Sequence, residues 1–144
     1  VWDAQTDWRD PVTFSPAALA ERGATAAPVE TAPRIQAEGA WAGLSFEEAQ
    51  AEVFPLKSLE VGASVREATE AAAEAARRNG WTLSQVDPDG GRIEGRRRSL
   101  WYGLTSDLAV RVRPTETGAR IDARSASRIA APDMGANGRR IEVL

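Results

Sequence analysis

Charged side chains alternate with apolar or small ones in three consecutive runs between residues 92 and 128, which glycine and proline separate. In residues 107–113, for example, Leu108, Val110 and Val112 occupy every second position, and charged residues or alanine fall between them. Alternation with a period of two places successive side chains on opposite faces of a β-strand. The pattern therefore predicts three neighbouring antiparallel strands with one apolar and one charged face: Arg92–Trp101, Asp107–Arg113 and Ala119–Arg128.

The residues before these runs predict a helix and two further strands. Ser64 and Glu67 have the spacing of a capping box, which opens a helix that ends near Asn79. Strands are predicted at Val53–Val61 and Trp81–Val86, and a closing helix follows residue 133. The chain is therefore predicted to be an α+β protein with an antiparallel sheet of four to five strands. Its order is strand, helix, four strands, helix, and the helices are expected on one face of the sheet.

Residues 1–50 are predicted to form an extended arm, which leaves residues 51–144 as a single α+β domain. Four prolines interrupt every candidate element of the arm, and its alanines show little periodicity. Short helical turns are predicted at residues 15–23 and 45–48. Large aromatic side chains spaced in this way are typical of a segment anchored on a folded body: Trp2, Trp8, Phe14, Trp41 and Phe46.

Formal charge is divided unevenly, with −8 on residues 1–90 and +5 on residues 91–144. If the three charged strand faces coincide, eight arginines and three carboxylates share one sheet surface with a local charge of +5. This surface is either a solvated outer face with cross-strand ion pairs or a binding surface for a phosphate, an anionic lipid headgroup or an acidic partner. The arginines assigned to binding are Arg92, Arg96, Arg111, Arg113, Arg124, Arg128 and Arg140.

The chain has no cysteine and no histidine, which excludes thiolate nucleophiles, Cys/His zinc sites and Ser-His-Asp triads. We expect no metal and no cofactor. The acidic chain and its arginines, which are not interleaved with aromatic residues, also argue against nucleic acid as a partner. The alternative to a binding module is a carboxylate-based hydrolase or lyase that uses Glu94, Asp107 or Asp122. No apolar run of about 18 residues occurs, so no transmembrane segment is predicted in this chain.

Two motifs near the end of the chain resemble those of a known family. They are Asp-Ala-Arg-Ser-Ala-Ser-Arg at residues 122–128 and Asp-Met-Gly-Ala-Asn-Gly-Arg-Arg-Ile at residues 133–141. Together with Gly80–Trp81, they resemble the bacterial and chloroplast domain-of-unknown-function family 1499. The resemblance covers residues 53–144, and residues 6–11 of the arm also resemble its proteobacterial members.

What the resemblance implies is a setting rather than a reaction, because the family has no established activity. Many of its members carry this domain after hydrophobic membrane segments. The resemblance therefore implies a membrane-tethered protein whose soluble domain faces the periplasm, with the cytoplasmic face as the alternative. The family's tandem aspartate reads Ser106–Asp107 here, so a site that needs both carboxylates is not expected.

The two motifs combine charges with small hydroxyl groups at a junction between strand and helix. Such groups form a buried polar network that fixes the last helix on the sheet, or they line an anion pocket at the start of that helix. The residues assigned to the network are Glu94, Asp107, Asp122, Ser125, Ser127, Asp133 and Asn137.

The sequence as a whole favours a non-enzymatic, membrane-associated binding or assembly module. Its arginine-rich sheet face or its aromatic arm is expected to contact a membrane protein complex or an anionic lipid headgroup. A further alternative is a purely structural subunit whose arm wraps a neighbouring protein.

Overall fold

The computed structural model describes residues 2–36, 38–100, 102–131 and 135–144. Within these residues the chain forms an antiparallel sheet of six strands and four helices. The strands lie in the order β1-β6-β5-β4-β3. Strand β2 pairs with the same edge of β6 as β1 does, but nearer the start of β6. The elements are β1 Asp3–Gln5, α1 Pro16–Arg22, α2 Phe46–Val53, β2 Leu59–Val61, α3 Val65–Arg78, β3 Thr82–Asp87, β4 Arg92–Arg98, β5 Thr105–Thr115, β6 Gly118–Ser127 and α4 Ala136–Glu142.

The predicted α+β class and the order strand, helix, four strands, helix are confirmed for β2 through α4. The boundaries differ most before α3. The helical turn predicted at Ser45 continues to Val53, and the strand predicted at Val53–Val61 is reduced to its last three residues. The capping box of Ser45 and Glu48 explains the longer helix, because it satisfies free N–H groups at the helix start. Pro55 then prevents the residue before it from continuing the helix.

Helices α3 and α4 pack on the apolar face of the sheet. Ile93, Leu108 and Val110 are almost completely buried there. They meet the alanine side of α3, which includes Ala68 and Ala76. Small side chains let the helix approach the sheet closely, but each alanine buries only a small apolar area.

Helix α1, which belongs to the arm, lies on the opposite, charged face. The two helices of the predicted domain, α3 and α4, share one face of the sheet, as predicted. Phe14 and Val12, just before α1, are buried against Ala109 and Ala126 of the sheet. These two alanines interrupt the row of charged residues and give the arm a small apolar seat. Aromatic and apolar side chains of the arm therefore do anchor it, as their spacing predicts.

Strand β1 and helix α2 fix the two ends of the arm at the edge of the sheet. β1 pairs with residues 124–126 of β6. The side-chain amide of Gln50 in α2 accepts a hydrogen bond from the Gln5 N–H at 2.9 Å and donates one to the Gln5 carbonyl at 2.8 Å, as a further strand would. Phe46 is fully buried between the rings of Trp2 and Trp8. The boundary predicted at residue 50 stays a prediction, but the arm shares one sheet with the rest.

Candidate functional site

The charged faces of β4, β5 and β6 coincide, as the alternation predicts. Arg111 lies opposite Arg92 on one side and opposite Asp122 on the other. Ala109 lies between Glu94 and Arg124 in the same way. We call this side of the sheet the arginine face. It carries Arg92, Arg96, Arg98, Arg111, Arg113, Arg120, Arg124 and Arg128 with Glu94, Asp107 and Asp122.

The arm crosses the arginine face and covers its middle, which both interpretations took as open to solvent. Arg96 and Arg98 at its margins stay exposed, and Arg113 stays partly exposed. Asp3 pairs with Arg124, and Asp7 pairs with Arg120. The start of the arm therefore runs antiparallel to β6. The arm then passes over β5, where Asp10 contacts the guanidinium groups there. The arm brings four carboxylates and one arginine to this face and so lowers its formal charge from +5 to +2. These side chains are Asp3, Asp7, Asp10, Glu21 and Arg22.

Arg124 is the most buried arginine of this face, with 2% of its surface exposed. Its guanidinium makes a bidentate ion pair with Asp3 and donates hydrogen bonds to the carbonyls of Val12 at 3.1 Å and Glu30 at 2.8 Å. Three separate stretches of the arm are thereby held by one side chain. A guanidinium engaged in this way has no donor directed towards a ligand in solvent.

Asp122 lies at the centre of a second buried cluster and is fully shielded from solvent. It accepts hydrogen bonds from the hydroxyls of Thr6 at 2.9 Å and Ser58 at 2.5 Å, and from the guanidinium of Arg120 at 3.0 Å. Burial by itself raises the pKa of this carboxyl, but these hydrogen bonds and the positive charge of Arg120 outweigh it. The pKa of Asp122 therefore lies below its ordinary value, which is the opposite of what a general acid requires.

The other two carboxylates proposed for catalysis are also committed to structural contacts. Glu94 accepts hydrogen bonds from the N–H and hydroxyl of Ser15 at 2.7 and 2.6 Å, and so fixes the start of α1. Asp107 lies between two guanidinium groups, from Arg22 at 2.6 Å and Arg128 at 2.7 Å. Each carboxylate thus compensates arginine charge or holds the arm, and the geometry favours anchoring over catalysis.

Arg22 is a buried member of this cluster that sequence reasoning missed. It lies in the last turn of α1, a position where arginine usually complements the helix dipole in solvent. Besides Asp107, its guanidinium donates hydrogen bonds to the backbone carbonyls of Ala27, Ala126 and Ser127. Burial lowers the pKa of Arg22, and the negative charge of Asp107 opposes that shift. No local signal separates such an arginine from an exposed one.

A polar network does lie beneath α4, but it contains only part of the predicted set. The hydroxyl of Ser125 donates to the Asn137 side-chain oxygen at 2.6 Å, and the Asn137 amide donates to Ser127 at 2.9 Å. Arg140 extends the network by donating to Ser106, a residue that sequence reasoning did not assign, at 2.7 Å. These groups connect α4 to β5 and β6 and are mostly buried, as a helix-fixing network requires.

The remaining predicted members of that network do not join it. Glu94, Asp107 and Asp122 point to the other side of the sheet. Successive side chains of a strand point to opposite faces, so in β6, for example, Asp122 and Ser125 lie on different faces. Asp133 lies outside the described residues. The motif at residues 122–128 therefore serves two separate clusters, one beneath α4 and one beneath the arm.

The turn between β4 and β5 presents a different surface, which the predicted strand Arg92–Trp101 obscured. We call residues 99–104 the hairpin tip; Trp101 within it lies outside the described residues. Leu100 is 97% exposed and Tyr102 is 83% exposed. Backbone hydrogen bonds between Ser99 and Leu104 and between Gly103 and Ser99 close the turn. A defined turn thus holds large apolar side chains out in solvent.

Arginines flank the hairpin tip. Arg98 donates a hydrogen bond to the Gly103 carbonyl at 3.2 Å. The guanidinium of Arg97 lies beside Gly80, where the C-terminal end of α3 contributes Arg77 and Arg78. Among the described residues, neither Arg97 nor Arg98 forms an ion pair with a carboxylate. Within the part of the chain that the structure describes, this end of the sheet therefore combines exposed apolar groups with two arginines that have no carboxylate partner.

No helix in the described part of the chain has both the length and the apolar character needed to cross a bilayer. Residues 3–144, essentially the whole chain, match the sequence profile of a family described as protein of unknown function (DUF1499). No curated protein and no solved structure matches the chain. The match extends the earlier resemblance across the arm, whose carboxylates complete the buried ion pairs of the sheet. The chain belongs to the DUF1499 family.

Proposed function

We propose that this DUF1499 chain is a non-enzymatic, membrane-associated binding module that attaches to an anionic bilayer surface through its hairpin tip. The observation that carries the proposal is the exposure of Leu100 and Tyr102 on a closed turn beside Arg97 and Arg98. Aromatic and aliphatic side chains enter the interfacial region of a bilayer, while arginines beside them reach the anionic headgroups.

The energy available at the tip suits reversible attachment. Burial of a leucine or a large aromatic side chain stabilises by about 1.5–3 kcal/mol, and each basic residue near an anionic surface contributes about 1 kcal/mol. Two such apolar side chains and two arginines are comparable to a single weak lipid anchor, which gives marginal binding by itself. Attachment of this strength fits a domain that a second element already holds near the membrane, as the family resemblance implies.

The tip supports this proposal better than the two surfaces that the sequence suggested. The arginine face is engaged by the arm, and Arg124 and Asp122 on it are buried. The aromatic arm places Phe14 and Phe46 inside the protein, while Trp41 is 37% exposed. We propose the periplasmic side of the membrane as the setting, and the resemblance alone supports this. A membrane protein complex as a partner is likewise a proposal that rests on the resemblance.

Vesicle cosedimentation tests the attachment. The wild-type chain is expected to bind vesicles that contain phosphatidylglycerol, to bind phosphatidylcholine vesicles at least tenfold less, and to lose binding as salt rises. The variants Leu100→Ser/Tyr102→Ser and Arg97→Gln/Arg98→Gln should each weaken binding at least tenfold. Leu19→Ser and Arg9→Gln/Arg66→Gln remove the same kinds of exposed side chain elsewhere and should leave binding unchanged. Equal binding by the tip variants and the wild type would overturn the proposal.

A further inference from the structure

A cavity of about 480 Å³ opens on the helix side of the sheet, away from the hairpin tip. Its walls are α3, the segment 55–61 that contains β2, and the end of α4. Its floor is formed by residues of β5 and β6. The volume falls in the range of small-molecule sites, about 300–1,000 Å³. The cavity is open to solvent on one side, so a ligand can enter it from outside.

Small side chains and a short strand create the cavity. On α3, Ala68, Ala71 and Ala72 face it, and none of them is long enough to span the distance to the floor. On the opposite wall β2 is only three residues long, and the irregular segment before it contains Pro55. The cavity therefore follows from residue size along two regular elements.

The interior of the cavity is apolar. Leu56, Val61, Val110, Ile121 and Ile141 line it together with the alanines of α3. The polar groups on its wall are already occupied: Thr6 donates to Asp122 and accepts from the Ala123 N–H, and Glu67 accepts the hydrogen bonds of the α3 cap. A peptide in this space would leave its own N–H and C=O groups without partners, which is costly. An alkyl chain has no such groups.

We propose that this cavity binds one unbranched alkyl chain, of the kind carried by fatty acids and acyl lipids. A water-sized group occupies about 30 Å³, so a space of about 480 Å³ holds roughly sixteen methylene groups. Lys57, the only lysine of the chain, and Glu142 are exposed at the rim. Because the rim carries both signs of charge, the headgroup stays outside and contributes little, and chain length decides affinity. This inference does not depend on the proposed membrane attachment.

A series of n-alkyl carboxylates from about eight to about eighteen carbons, kept below their micelle concentrations, tests the proposal by isothermal titration calorimetry. Affinity should rise about fourfold with each methylene, the equivalent of about 0.8 kcal/mol. It should stop rising at about sixteen carbons, where the cavity is full. Alkyl trimethylammonium ions and lysophosphatidylcholine of equal chain length vary the headgroup, and all three ligand classes should show the same slope because the headgroup stays outside the cavity. A slope for lysophosphatidylcholine alone would identify a lipid as the source, and a slope for the carboxylates alone would identify a free fatty acid. Affinity without dependence on chain length would overturn the inference.

A matched pair of variants locates the chain. Ala71 is exposed at the mouth of the cavity and Ala75 lies one turn further along α3, outside it. Ala71→Phe should weaken binding of dodecanoate at least tenfold, and Ala75→Phe should leave it unchanged. The tip variant Leu100→Ser/Tyr102→Ser should bind dodecanoate like the wild type, which separates this site from vesicle attachment. If Ala71→Phe binds dodecanoate as the wild type does, the alkyl chain is not in this cavity and the inference is wrong.

Discussion

Replacement of Arg124 by methionine tests whether buried ion pairs hold the arm on the sheet. Methionine keeps much of the length of the side chain and removes its charge and all its hydrogen bonds. The Asp3 carboxylate, which is 1% exposed, then loses its bidentate partner, and the carbonyls of Val12 and Glu30 lose theirs. Removal of one member of a buried pair costs about 3–5 kcal/mol, because the other charge stays buried without compensation.

The expected loss is large compared with the total stability of an ordinary domain, which is about 5–15 kcal/mol. Urea unfolding followed by tryptophan fluorescence and circular dichroism measures it as a shift of the transition midpoint. Arg78→Met is the control, since its partner Glu74 lies on the exposed surface of α3 and such pairs contribute at most about 1 kcal/mol. The double variant Asp3→Asn/Arg124→Met should recover part of the loss, because it leaves no buried charge.

The loss of stability in Arg124→Met should also depend on pH, in a direction that the structure predicts. Burial raises the pKa of Asp3, and the hydrogen bonds and charge of Arg124 oppose that rise. In Arg124→Met the opposition is removed, so Asp3 takes up a proton more readily in the folded state. The penalty is therefore complete above the folded pKa and shrinks as the pH falls through it. A loss in Arg124→Met no greater than that in Arg78→Met would show that the arm is held by other contacts.

Three further changes address other parts of the structure. Phe46→Ala should cost about 3–5 kcal/mol in urea unfolding, because Phe46 is fully buried against two tryptophan rings. Gly91→Ala should cost at least about 2 kcal/mol by the same assay: its φ is +67°, and a Cβ would lie 2.1 Å from the Val112 carbonyl oxygen. The ionised form of Asp122 stabilises the fold, so the stability gap between the wild type and Asp122→Asn should narrow as the pH falls below 3.8. A gap that widens there contradicts the assigned shift.

Local patterns predicted the part of the fold that local physics determines. Period-two alternation located β4, β5 and β6 and their shared faces, and the capping box located the start of α3. β1 has no such signal, because Asp3, Ala4 and Gln5 are a short polar stretch that becomes a strand only by pairing with β6. Its formation depends on tertiary contacts, which outweigh weak local preference.

In the candidate site, too, local patterns predicted some features, and features that depend on distant segments were missed. Alternation predicted correctly that the arginines share one side of the sheet, but it contains no information on what covers that side. The covering segment begins about 120 residues earlier in the chain, as the Asp3–Arg124 pair shows. Ser125, Ser127 and Asn137 were placed together because their motif is local. The hairpin tip was missed because Leu100 falls inside the predicted strand Arg92–Trp101 and Tyr102 directly follows it.

The uneven division of charge along the sequence has its explanation in this long-range pairing. An acidic first part and a basic last part suggest two surfaces of opposite sign when the chain is read linearly. In the folded protein Asp3, Asp7, Asp10 and Glu21 of the arm meet arginines of the sheet, so much of the asymmetry is internal. What stays uncompensated among the described residues includes Arg97 and Arg98 beside the hairpin tip. Among the described residues, the other seven arginines of the arginine face each pair with a carboxylate. Arg97 and Arg98, which have no such partner in the described part of the chain, lie at the end of the sheet beside its most exposed apolar side chains.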